Sequence, residues 1–226
     1  MASFKTHITF GISLGVLGSV FMVVLALGEN IDFLLALFIL ALLGSILPDI
    51  DSDSGIPFHL TFGSLSIISG VFVFFLLFER NSEDTLIKSI FGSVLVMLCV
   101  WGMIGGFFKK LTKHRGMVHS IPAALLFFLI TFILTSKYFF ENNEAFLLGL
   151  ILGLGYVSHL ILDEINSLVD FQGRRLIPKQ SLGSSLKFFS SSKLINFLVY
   201  ASIFLLFFPH KEDFKDLAMN ILSKIE

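Results

Sequence analysis

His159 and Asp163 stand four residues apart inside a long apolar run. On an α-helix that spacing places both on one face, about 6 Å apart. Both can then reach a single metal ion, or Asp163 can orient the His159 ring from behind. The plainer alternative is a hydrogen-bonded pair that tightens helix packing. Glu164 points roughly 100° away around the same helix and ranks below Asp163.

A second polar element is His114-Arg115-Gly116-Met117-Val118-His119-Ser120. Neutral imidazole is a common metal ligand. Arg115 keeps its proton, so it cannot ligate a metal, but its fork suits a phosphate or carboxylate. Gly116 lets the backbone turn between the histidines, and Pro122 is tolerated in the first turn of a following helix. Read blandly, this is a basic loop beside a membrane with incidental histidines. The third element, Pro48-Asp49-Ile50-Asp51-Ser52-Asp53, lacks the sixth-position Gly and twelfth-position Glu of a calcium-binding EF-hand. Asp49 and Asp51 can still supply hard oxygen atoms to an ion also held by histidine, while Asp53 suits a turn. His7 opens the first apolar run and is a weak signal alone. There is no P-loop or H-E-x-x-H pattern.

The elements that must position these residues are membrane spans. Hydrophobic residues form 55% of the 226, and 28 of them are Phe, whereas charged residues are only 15%. A bilayer crossing needs about 20 mostly apolar residues, and such runs recur at 8–27, 31–47, 60–78, 86–108, 117–136, 145–165 and 194–208. The expected fold is therefore an all-α polytopic membrane bundle of about seven transmembrane helices. It has six if the short second or last run is re-entrant. Residues 1–209 form the transmembrane domain. Residues 210–226 form a tail whose Phe214, Leu217, Ala218, Ile221, Leu222 and Ile225 fall at helical spacing, as in an interfacial amphipathic helix. The single Cys99 excludes a disulfide framework within the chain, and the net charge of −1 gives no case for nucleic acid.

Charge sets the orientation. With the N-terminus inside, the cytoplasmic segments carry Lys5, Lys109, Lys110, Lys113, Arg115, Arg174, Arg175, Lys179, Lys187 and Lys193. The opposite side carries Arg80, Lys88, Lys137, Lys211, Lys215 and Lys224. Ten basic residues against six favour this orientation. It brings His7, the 47–55 loop, the His114/His119 segment and the His159/Asp163 pair to one membrane face. The polar stretch 166–193 lies on that face too. It reads either as a solvated loop or as a basic flap meeting lipid headgroups.

His7, Leu-Pro-Asp-Ile-Asp at 47–51, His-Arg-x3-His-Ser at 114–120 and Ser-His-x3-Asp at 158–163 together resemble the YdjM-like family. Those proteins are bacterial inner-membrane proteins described as metal-dependent hydrolases, with a LexA-binding label that no feature of this chain carries. The family is in turn similar to the helical zinc phospholipase C and S1/P1 nuclease group. The resemblance implies metal ligation by His7, Asp49, His119, His159 and Asp163, with Asp51 and His114 as catalytic groups beside the ion. One or two divalent ions are implied, because His and Asp are fewer than a three-zinc site uses. Mixed His and Asp ligands suit Zn²⁺, and Mn²⁺ or Fe²⁺ less well. The expected activity is hydrolysis of an ester or phosphoester in a membrane lipid by metal-activated water. Arg115, Ser120, Arg174 and Lys179 would hold an anionic headgroup. The rival expectations are a metal or ion transporter and a non-catalytic structural or regulatory protein.

Overall fold

The computed structural model describes residues 3–25, 30–51, 56–78, 85–106, 116–168 and 186–222. Among them the secondary structure is entirely helical. The helices are α1 (Phe4–Val24), α2 (Ile31–Ile46), α3 (Ile56–Leu77), α4 (Thr85–Leu98), α5 (Ile121–Tyr138), α6 (Asn142–Leu168), α7 (Lys193–Phe207) and α8 (Lys211–Leu222). Among the described residues seven helical stretches are long and apolar enough to cross a membrane, as expected. The second short run gains length from a 3-10 turn, Leu47–Asp51, that follows α2 directly. The last gains it through Phe208–His210 into α8, giving the stretch Lys193–Leu217.

The chain divides into two compact units. One comprises Met1–Pro48 with Arg115–Glu226, and the other Asp49–His114. In the first unit α6 is the central helix: half of its spanning window is buried, against a third or less for every other span. Phe33, Leu37 and Ala41 of α2 pack with Leu148 and Ile151 of α6 and Met22 of α1.

Lipid tails are as apolar as leucine, so helices in a membrane associate mainly by close packing of small residues. Glycines provide that packing here. A Cβ on Gly155 would lie 2.6 Å from the Ala41 carbonyl oxygen, and one on Gly44 would collide with the Leu152 carbonyl. The backbones of α2 and α6 therefore touch. Gly11 and Gly15 of α1 play the same part against Ser45 and Phe38 of α2.

In the tail, α8 turns Phe214 and Leu217 onto the bundle. Leu217 is buried with Phe132 and Ala145. The Phe214 ring lies 4.8 Å from that of Phe132 and 5.3 Å from that of Phe207. Aromatic pairing of this kind adds to simple area burial and offsets what the face would gain from lipid.

The second unit is a hairpin of α3 and α4. Ser66 Oγ donates to the Met97 carbonyl at 2.9 Å, and Gly70 admits the Met97 side chain. After Leu98, α4 widens into a π-helical segment, Cys99–Ile104. Trp101 in that segment stacks on His59 with ring centroids 5.5 Å apart.

Candidate metal centre

Four side chains of the first unit meet at one end of its bundle. His7 comes from the first turn of α1, His119 from the turn before α5, and His159 and Asp163 from the C-terminal half of α6. All four are at most 1% exposed. Asp163 is the hub. Its Oδ1 is 3.4 Å from His7 Nε2, and its Oδ2 is 3.8 Å from His119 Nε2 and 3.9 Å from His159 Nε2. The His7 and His159 rings stack at 3.6 Å with 15° between their planes. The His119 ring stands edge-on to His159 at 5.4 Å.

The surrounding helices fix each ring. His159 Nδ1 lies 2.7 Å from the backbone carbonyl of Ser45 on α2. A carbonyl oxygen only accepts, so Nδ1 carries the proton, and in the neutral ring Nε2 is left as the lone-pair nitrogen on the Asp163 side. The glycine contacts between α2 and α6 bring that carbonyl within reach. The His119 turn is held by the buried Tyr156, whose hydroxyl donates to the Val118 carbonyl. The turn ends in an N-cap: Ser120 Oγ accepts from the Ala123 N–H at 3.4 Å and donates to the Met117 carbonyl. Pro122 occupies the first turn of α5, where no N–H is missed. On the far side, the Lys187 carbonyl accepts from the Ile121 N–H at 3.1 Å.

His119, His159 and Asp163 each offer a ligand atom within 4.8 Å of the others and form a group that can hold a metal ion. Two atoms bound to one tetrahedral zinc at the usual bond lengths sit about 3.3 Å apart, close to the separations found around Asp163. His7 supplies an independent test of fit. Neither of its ring nitrogens has a hydrogen-bond partner among the described residues, although the ring is buried. A buried polar group in that condition costs free energy, and a cation beside Asp163 would give Nε2 a partner. Three imidazoles and one carboxylate are a donor set that suits zinc.

Asp49 and Asp51 lie in the 3-10 turn after α2 and open the second unit; the Asp51 side chain is outside what the structure describes, as are His114, Arg115, Arg174 and Lys179. Ser120, expected at the substrate, is buried with its hydroxyl engaged in the α5 cap. His59 stacks on Trp101 in the second unit. Two contributors went unpredicted. The Ser45 carbonyl is a backbone group and leaves no mark in a sequence. Tyr156 had a signal, since it stands three residues before His159 and seven before Asp163, on the same helical face.

The fold and the site define a multi-pass helical membrane protein with a buried His/Asp cluster at one end of its bundle. Residues 1–222 match the model of the family described as YdjM inner membrane protein, and the chain belongs to that family. No curated protein and no solved structure gives a significant match to it.

Proposed function

We propose that the protein is a membrane-embedded, metal-dependent hydrolase of an ester or phosphoester, acting on a phospholipid at the cytoplasmic face. The observation that carries this reading is the convergence of three histidines on one buried carboxylate, Asp163. His119, His159, Asp163 and His7 would hold the ion, with Asp49 the further ligand that the Leu-Pro-Asp-Ile-Asp motif implies and zinc the first choice. A divalent ion held there would polarise a carbonyl or phosphoryl oxygen and lower the pKa of bound water toward about 7. The chain's own groups supply the order around it. Ser45 fixes the His159 tautomer, and Tyr156 holds the His119 turn. Asp51 and His114 are assigned proton transfer, and Arg115, Arg174 and Lys179 the anionic headgroup. Transport is the weaker reading, because the centres of the spanning runs are almost wholly aliphatic and Phe.

A purely structural metal centre is the second reading, and the completeness of the burial favours it, since structural sites are closed whereas catalytic ones keep an open position. The test is metal analysis of purified protein beside a turnover screen of phospholipids, lysolipids and soluble phosphoesters with the metal-loaded form. Chelator-sensitive turnover, restored by added zinc, supports the hydrolase. Bound metal without turnover leaves the structural reading, and metal flux into liposomes without turnover establishes transport.

A further inference from the structure

An apolar groove of about 240 Å³ runs between α5 and α6. Ile121, Ala124, Leu125 and Phe128 line it from α5, and Gly153 and Val157 from α6. Its origin lies in two glycines one turn apart. At Gly149 a Cβ would come within 3.0 Å of the Phe128 carbonyl, so the helices are in close contact. At Gly153 the nearest atom to such a Cβ is Phe128 Cβ at 3.6 Å, which leaves room where a larger side chain would otherwise stand. The length from Ile121 to Phe128 is about 10 Å along the helix. Both helices are membrane spans, so the groove faces hydrocarbon.

One end of the groove adjoins the turn that carries His119. Ile121 follows Ser120 and His119 directly, and its N–H is bonded to the Lys187 carbonyl. The segment around Lys187 has the character of a membrane interface. Phe188 and Phe189 are exposed beside it, and the Phe188 carbonyl accepts from the Tyr200 hydroxyl at 2.9 Å. A basic residue near an anionic leaflet favours anionic lipid. At the same end, Val157 lines the groove and its neighbour Tyr156 holds the turn that carries His119.

From this juxtaposition we infer that the groove is the acyl-chain site of an anionic glycerophospholipid, whose tail lies along α5 and α6 with its headgroup at the Lys187 and His119 end. The inference deepens the hydrolase reading and rests on it for the lipid's role as substrate, while the binding itself stands on the groove. Each methylene withdrawn from water is worth about a factor of four in affinity, by the usual transfer value. The lipid tail is already in hydrocarbon, so the gain here is close packing together with the headgroup contact, and selectivity over a plain lipid-facing surface is the quantity to read.

The experiment places full-length protein in phosphatidylcholine vesicles containing phosphatidylglycerol with a photoactivatable acyl chain, and maps the labelled positions. Labelling concentrated on the α5/α6 groove, several-fold above that on exposed Leu17 of α1, is expected. Gly153→Leu fills the groove and should remove most of it, while Gly153→Ala, which fits at ordinary contact distance, should not. Leu125→Trp on the exposed rim is a second blocking variant should Gly153→Leu fail to fold. Labelling equal at the groove and at Leu17 overturns the inference, as does labelling that survives both blocking variants. Groove labelling without turnover of any ester retains the lipid site and removes the hydrolase. Turnover of a soluble ester without groove labelling does the reverse.

Discussion

His159 Nδ1 and the backbone carbonyl of Ser45 lie 2.7 Å apart although 114 residues separate them in the chain. This bond ties the orientation of a ring on α6 to the packing of α2 against it. It also selects the tautomer that leaves Nε2 for the Asp163 side. Partners of this kind matter to metal affinity nearly as much as the ligands do.

Metal content is the first expected readout. His119→Ala, His159→Ala and Asp163→Ala each remove a donor from the buried group and should lower the metal bound per chain. His210→Ala should leave it unchanged, because His210 pairs with Asp213 in the partly exposed turn between α7 and α8. Inductively coupled plasma analysis of the purified variants decides. Unchanged metal in a His159→Ala/Asp163→Ala double variant would falsify the site.

Tyr156→Phe removes one hydroxyl and nothing else from the core. It takes away the bond to the Val118 carbonyl. A lost intramolecular hydrogen bond costs about 0.5–1.5 kcal/mol, more when the stranded acceptor stays buried. Loosening of the His119 turn should weaken metal binding about 10- to 100-fold, the usual effect of losing a supporting partner. Titration against a chelator of known affinity measures it, and wild-type affinity in this variant would show that the hydroxyl does not position His119.

Gly155→Ala tests the contact between α2 and α6. The added methyl would sit 2.6 Å from the Ala41 carbonyl oxygen, so backbone must move. Overpacking costs about 1–3 kcal/mol. A lower unfolding temperature in detergent is expected, together with weaker metal binding, because the shift draws Ser45 away from His159. Loss of stability with metal affinity intact would separate the helix contact from the site.

Orientation follows from the distribution of lysine and arginine. A cysteine placed at position 113 should resist a membrane-impermeant thiol reagent in intact cells and react once the membrane is opened, and a reporter on the N-terminus should be cytoplasmic. External labelling at position 113 would place the site's end of the bundle on the other face.

Hydropathy revealed the seven spans because a bilayer demands a length of apolar chain that nothing else in this sequence imitates. The His159/Asp163 pair was legible from helical spacing, and counting the crossings brought His7 and His119 to the same end. The Ser45 carbonyl was not legible, since every residue carries one and only the glycine contacts determine which reaches His159. Hydropathy was equally silent on Cys99–Ile104. It counts apolar side chains and does not distinguish α from π hydrogen bonding, so the run at 86–108 read as uninterrupted helix. The tail showed its amphipathic spacing plainly, but spacing alone does not say whether Phe214 faces lipid or Phe132.

His7 sits near the start of the chain and Asp163 deep in its sixth span, yet they share one buried cluster. A ribosome delivers α1 into the bilayer long before α6 exists. Throughout that interval the His7 ring has neither Asp163 nor the His159 ring to stack upon. The cluster therefore closes only after α6 has been inserted in the correct direction, and a chain with a skipped or inverted crossing cannot assemble it. An ion held by this cluster would then be captured only once the first six crossings are in place, and its binding would report that they were threaded correctly.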